Sequence, residues 1–161
     1  IGLQSSTFRV AIIRPPLVYG PEVKGNMIRL LNLAAKGYPL PFGRTGNARS
    51  MVFVDNLVAL TNAIISQQAA GVFLGGDRKA LSTEELIRQI RQEMGMPPRL
   101  IPIPALARTF MKKYRPHLYT RLFGSFELNT ADTNRRLNFV PPFSTSEGIH
   151  DMVEWYKKSQ G

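Results

Sequence analysis

Cysteine is absent from the 161 residues, which removes disulfides, thiolate metal sites and a cysteine nucleophile together. Histidine is nearly absent: only His117 and His150 occur, without the His-rich or Cys-rich spacing of a metal site. His150 falls in a helical pattern beside Asp151, and His117 in a basic turn beside Pro116, so both read as surface residues rather than bases. Long apolar runs are missing as well. The most apolar stretch, residues 8–18, is broken by Arg9, Arg14 and two prolines, far short of the ~20 residues of a membrane span. Residues 1–7 lack the basic start and apolar core of a signal peptide. Neither phosphate-gripping glycine fingerprint, Gly-x-Gly-x-x-Gly or Gly-x-x-x-x-Gly-Lys-Ser/Thr, occurs. Gly43-Arg-Thr-Gly46 has glycines and a cation but no helix start behind it, a weak basis for phosphate binding. No self-contained active site can be assembled from what remains.

What is present suffices for a folded domain. Hydrophobic residues make up 43%, too many for a disordered chain, and 13 glycines with 12 prolines favour short elements. Lack of cysteine permits a cytoplasmic address. Residues 8–13 are β-branched and aliphatic, predicting a strand buried on both faces as in a parallel sheet, ended by Pro15 and Pro16. Met27, Leu30, Leu31 and Ala34 predict a helix over 26–36, stopped by Gly37. Residues 38–47 read as a loop. A short strand over 51–54 leads into a helix from Asp55 to about Gln67, and 71–75 into another strand. Ser82-Thr-Glu-Glu85 is a capping box opening a helix that buries Leu86, Ile87 and Ile90 and stops at Gly95. Residues 99–104 read as extended and 105–113 as a basic helix. Ser144-Thr-Ser-Glu147 repeats the capping box before a last helix with the stripe Ile149, Met152, Val153 and Tyr156. No repeat or linker divides the chain, so residues 1–161 form one domain or part of one.

The net charge is +10, concentrated in residues 97–136, where eight basic side chains face Glu127 and Asp132 alone. Such a region attracts nucleic acid, an anionic membrane surface or a phosphorylated small molecule, although a solvated basic face is the simpler reading. Phe110, Tyr114, Tyr119 and Phe123 are interleaved with these cations, which makes a basic nucleic-acid-binding module the alternative function. Their roughly helical spacing is explained more simply by core packing.

Three segments are more specific. Arg9-Val-Ala-Ile-Ile-Arg-Pro-Pro-Leu-Val-Tyr-Gly-Pro21 resembles a strand and loop of the extended short-chain dehydrogenases, the family of NAD-dependent nucleotide-sugar epimerases and dehydratases that includes UDP-glucose 4-epimerase. Gly46-Asn-Ala-Arg-Ser-Met-Val-Phe-Val-Asp-Asn-Leu57 resembles a second element of that family at the expected distance. Arg121-Leu-Phe-Gly-Ser-Phe-Glu-Leu-Asn-Thr130, continuing through Arg136-Leu-Asn-Phe-Val-Pro-Pro-Phe-Ser144 to Glu147 and Gly148, is similar to its carboxy-terminal end, where a turn precedes the last helix. The resemblance implies an α/β fold: the carboxy-terminal part of an extended Rossmann-type fold, with the last parallel strand or strands and a small mixed α/β substrate-binding lobe. It also implies that the dinucleotide fingerprint, the catalytic Ser or Thr and the Tyr-x-x-x-Lys pair lie upstream of Ile1, with residues 1–7 the tail of the catalytic helix. Tyr19 is not that tyrosine, because Val23 stands four positions on, Lys24 is one too late, and Pro21 forbids the required helix.

The roles that follow are implied by the resemblance. No catalytic residue is expected in this chain. Pro15, Pro16 and Leu17 would wall the nicotinamide of NAD or NADP, a cofactor of the whole enzyme that this part alone would not hold tightly. Arg49 would grip the diphosphate of a UDP- or dTDP-sugar, a role suited to a planar, permanently charged fork. Arg121 is a second such candidate. Asn26 would lie at a helix start near the diphosphate, or serve as an ordinary N-cap. Leu40 and Phe42 would line the nucleobase slot, or anchor their loop to the core. Leu17, Ser50 and Asn56 depart from the family's more usual Asn, Asp and Asp, pointing to a branch apart from the UDP-galactose epimerases. The expected function is substrate binding for an epimerase, dehydratase or 4-ketoreductase, with no nucleic-acid partner, no membrane span and a possible homo-oligomer. A non-catalytic relative of the same fold is a further alternative. The chain by itself is expected to be inactive and to expose apolar surface that promotes self-association.

Overall fold

A computed structural model describes residues 8–160, less the side chains of Ala105, Ala107, Arg108, Leu118, Arg121 and Leu122. The reading of residues 1–7 as a helix tail therefore lies outside the described residues. Six short strands form three parallel pairs: β1 (Ala11–Arg14) with β5 (Gly71–Leu74), β2 (Leu17–Tyr19) with β4 (Met51–Phe53), and β3 (Leu40–Gly43) with β6 (Leu100–Pro102). Between β1 and β2 stand Pro15 and Pro16, which have no amide hydrogen to extend a ladder. The chain changes partner there, leaving β5 for β4. Parallel pairing demands crossovers, supplied by α1 (Gly25–Ala35), α2 (Val54–Ser66) and α3 (Thr83–Glu93). Four further helices, α4 (Ala105–Tyr114), α5 (Pro116–Phe123), α6 (Ala131–Leu137) and α7 (Thr145–Gln160), complete the described elements.

Both capping boxes form. The Ser82 hydroxyl accepts from the Glu85 amide at 3.0 Å while the Glu85 carboxylate accepts from the Ser82 amide at 2.8 Å. Ser144 and Glu147 make the same exchange at 3.2 and 2.7 Å. The main core joins α1, β2, β4, α3 and α7, and the stripe Ile149, Met152, Val153 and Tyr156 is buried in it. Gly148 is what lets α7 come so close. A Cβ there would stand 2.7 Å from the Phe53 ring and 2.9 Å from the Tyr19 hydroxyl, nearer than carbon packs.

Several expectations change. The span 38–47 contains β3, whose Leu40 and Phe42 point inward at period two while Pro41 and the Gly43–Arg44 turn gave it the composition of a loop. His117 lies in α5, not a turn, and Pro116 marks that helix's first turn. The turn expected before the last helix includes α6, closed by Asn138 in the left-handed region at φ 45°. β1 is not buried on both faces: its residues are exposed or half-exposed, and only β5 covers one edge. Asn26 is not an N-cap, since α1 begins at Gly25 behind Lys24. Phe110 and Tyr114 are not core, at 64% and 58% exposure, whereas Phe123 is buried against Tyr119 with ring centroids 5.3 Å apart.

One contact between α3 and α7 titrates. His150 Nδ1 lies 2.7 Å from the Glu93 carboxylate on the surface, and that hydrogen bond raises the imidazole pKa above 6.5. A raised folded pKa means the stabilisation is complete below the unfolded value and is lost as pH climbs through the folded one. The melting temperature is therefore expected to fall modestly between about pH 6 and pH 8, and His150→Gln to flatten that slope. An unchanged slope in the variant would remove this pair as its source.

Candidate functional site

The bend at Pro15, Pro16 and Leu17, the approach to β4 at Arg49, Ser50 and Met51, and the start of α3 at Ser82, Thr83 and Leu86 enclose a cavity of about 420 Å³. Leu81 and Phe126 complete its wall. Arg49 owes its place to two backbone bridges. Its amide donates to the Leu81 carbonyl at 2.9 Å and its carbonyl accepts from the Leu81 amide at 3.1 Å. On the other side, the Ser50 amide donates to the Phe126 carbonyl and the Phe126 amide to the Ala48 carbonyl, both at 2.8 Å. Buried Asn47 fixes the register just upstream. Its side-chain oxygen accepts from the Thr83 amide at 3.0 Å, and its amide group donates to the Thr83 hydroxyl at 3.0 Å. The Ser50 hydroxyl accepts from the Leu128 amide at 2.9 Å, drawing in the segment that carries Phe126.

A helix start beside an arginine suggests two anion donors, but α3 has no free amides to lend. Those of Ser82, Thr83, Glu84 and Glu85 go to Glu85, Asn47, the Thr45 hydroxyl and the Ser82 hydroxyl in turn. The Arg44 amide goes to the Glu84 carboxylate, so the Gly43–Gly46 turn is tied to the first turn of α3. Among the described lining residues Arg49 is the cation, and it stands beside the positive end of α3. Among the described residues that line the cavity there is no carboxylate, histidine, tyrosine or lysine.

Of the candidates read from sequence, Pro15, Pro16, Leu17 and Arg49 meet in this cavity. Leu40 and Phe42 sit in a separate core cluster with Ile87 and do not line it. Asn26 is exposed in the first turn of α1, also away from it. The Arg121 side chain lies outside the described residues. Sequence reasoning passed over Phe126, Ser82 and Thr83. Phe126 lay within a matched segment, but its 52% exposure, which sets it apart from core aromatics, is given only by the structure.

Next to the cavity lies a polar hub that sequence reasoning also missed. Asp77 accepts from the Tyr19 hydroxyl at 2.6 Å, the Phe53 amide at 3.0 Å and the Asn56 side chain at 2.8 Å. Burial, and then the Asp77 carboxylate, push the Tyr19 phenol far above its ordinary pKa of 10.0, which keeps it protonated as a structural donor. Asn56 also exchanges two hydrogen bonds with the Phe143 backbone, both at 3.0 Å, so its amide is used in full where an aspartate could only accept.

The fold matches the carboxy-terminal part of Rossmann-type extended short-chain dehydrogenases. By sequence it is a homologue of UDP-glucose 4-epimerase and related nucleotide-sugar enzymes. It is 37% identical over 156 residues to "UDP-glucose 4-epimerase" of Vibrio cholerae, covering 94% of this chain and 48% of that protein. It is 25% identical to an N-acetyl-alpha-D-glucosaminyl-diphospho-ditrans,octacis-undecaprenol 4-epimerase of Escherichia coli O157:H7, over 91% of this chain and 49% of the relative. The Bordetella bronchiseptica enzyme WbmF, solved with NAD+, superposes with a TM-score of 0.70 at 21% identity, over 96% of this chain and 47% of that one. Other solved neighbours carry NADPH, UDP or UDP-glucose. No protein-family model matches. The chain spans about half the length of the curated relatives it matches.

Proposed function

We propose that residues 1–161 are the substrate-binding part of an NAD(P)-dependent nucleotide-sugar epimerase, dehydratase or 4-ketoreductase, and that the cavity holds the diphosphate of a UDP- or dTDP-sugar. The observation that carries this is Arg49, whose backbone is pinned by two bridges and which lines the same cavity as the Pro15–Leu17 bend. A sugar diphosphate needs a cation for its phosphates, an apolar wall and few directing groups, and this cavity has that balance. Phe126 would supply an aromatic surface to the base, and Ser82 and Thr83 line the same space. The residues here would give a dinucleotide one wall and no glycine loop for its phosphates, so they suit NAD(P) only as a partner surface. Bound NAD(P) would supply hydride transfer; this chain orients the sugar against it. Catalytic groups and the cofactor-binding groups other than Pro15, Pro16 and Leu17 belong to further polypeptide in this reading, and the site works in the cytoplasm. Asn26 and Arg121 join the site only if the substrate extends beyond the cavity.

A lipid-linked sugar is the second reading. The Escherichia coli relative is named for a sugar on undecaprenyl diphosphate, which shares the diphosphate that Arg49 would hold. In calorimetric titration of the full natural polypeptide with UDP, Arg49→Ala is expected to weaken binding by roughly 10- to 100-fold, the worth of one charged bidentate contact. Arg49→Lys should recover only part of it, because an ammonium cannot fork. Unchanged UDP affinity in Arg49→Ala, with melting intact, would reject the assignment.

A further inference from the structure

Helix α4 turns a stripe of large apolar side chains to solvent. Leu106, Phe110 and Tyr114 stand at positions i, i+4 and i+8, on one face, and are 86%, 64% and 58% exposed. The Phe110 and Tyr114 rings touch each other at 4.3 Å between centroids. Ile101, on the strand leading into the helix, is 51% exposed as well. In the sequence that carries the stripe the charge has one sign. Lys112, Lys113 and Arg115 are exposed, Lys113 sits 5.5 Å from the Tyr114 ring, and residues 97–126 include no Asp or Glu.

We propose that α4 is a docking surface for an anionic lipid bilayer. At ten residues it is about 15 Å long, too short to span a membrane, so it lies in the plane of the headgroups. Leu106, Phe110 and Tyr114 enter the acyl boundary, while Lys112, Lys113 and Arg115 meet lipid phosphates. Other occupants fit less well. Leu106, the most exposed of the stripe, has no ring on which a nucleic-acid base could stack. A second copy joined through this face would bring the same cations of two chains together. Helix α4 lines no part of the Arg49 cavity, so the proposal holds whether or not that cavity binds a diphosphate.

The test is co-sedimentation of the full natural polypeptide with vesicles of phosphatidylcholine alone or mixed with phosphatidylglycerol. Binding is expected to the anionic vesicles only and to weaken as salt rises. Each basic side chain at a membrane surface contributes about fivefold, so Lys112→Gln with Lys113→Gln should lower the partition coefficient roughly 25-fold. Leu106→Ser with Phe110→Ser should lower it by at least about tenfold, through lost apolar burial. All four side chains are exposed, so melting curves should not move; should the serine pair unfold, the glutamine pair carries the test. Absence of vesicle binding, equal binding to phosphatidylcholine alone, or binding indifferent to both pairs would overturn the proposal. So would concentration-dependent dimerisation lost in Phe110→Ser without lipid binding, or oligonucleotide binding lost in the lysine pair without lipid binding.

Discussion

Replacing Arg91 with alanine is expected to remove about 3–5 kcal/mol of folding stability, a large share of what a domain of this size holds. The guanidinium is fully buried and has no carboxylate partner among the described residues; it donates instead to the backbone carbonyls of Ala34, Tyr38, Pro98 and Arg99. Ala34 belongs to the last turn of α1, and Arg91 to the last turn of α3, where free carbonyls and the negative helix ends meet. Burial, and more weakly the charge of Arg99, disfavour the cation, yet an arginine does not give up its proton. Desolvation therefore opposes the carbonyl bonds. We expect the bonds to win, because truncation takes the guanidinium from the part-buried Tyr38 and Pro98 carbonyls at about 1–3 kcal/mol each, and opens a cavity beside Ile87 and Ile90, while the Ala34 and Arg99 carbonyls keep the Gly37 and Leu40 amides. Urea unfolding should show a lower midpoint with an unchanged slope, and Arg91→Lys should rescue less than half. If Arg91→Met proved as stable as the natural chain, desolvation would outweigh the carbonyl bonds.

Arg91 also shows where sequence reading runs out. It stands four residues after Ile87 and one after Ile90, on the buried face of α3, so its position was legible from helical period. A charged residue at such a position is ordinarily assigned to the surface, and only the carbonyl cluster around it reverses that. Helices opened by capping boxes were legible because Ser82 with Glu85, and Ser144 with Glu147, are local signals resolved within four residues. β3 was not, because its strand character depends on pairing with the distant β6, against the composition of Pro41 and Gly43. The exposure of β1 was likewise beyond periodicity: an aliphatic strand carries no mark of which neighbours cover it. In the site, Arg49 and the Pro15–Leu17 bend were reached through the resemblance and then found around one cavity. The capping box made two of the saturated α3 amides foreseeable, but not those of Thr83 and Glu84, which Asn47 and Thr45 reach from far upstream.

Asp77 should prove the second weak point of the fold. Asp77→Ala is expected to cost about 3–5 kcal/mol, because the Phe53 amide, the Asn56 side chain and the Tyr19 hydroxyl lose one shared acceptor. Tyr19 has a fallback in the Thr145 carbonyl at 3.4 Å, and Asn56 keeps the Phe143 carbonyl, but the Phe53 amide sits at a fully buried strand end where water does not reach it. Asp77→Asn separates charge from geometry. Its oxygen can still accept from Phe53 and Asn56, while its amino group can donate to a Tyr19 hydroxyl turned toward Thr145, so the expected loss is only about 1–2 kcal/mol. Tyr19→Phe removes one donor and should cost about 1 kcal/mol alone. Combined with Asp77→Asn it should cost less than the sum, because both changes break one bond. The measurement is a double-mutant cycle by urea unfolding. Equal losses for Asp77→Ala and Asp77→Asn would mean that the carboxylate's charge, not its place as a common acceptor, holds β2, β4 and α7 together.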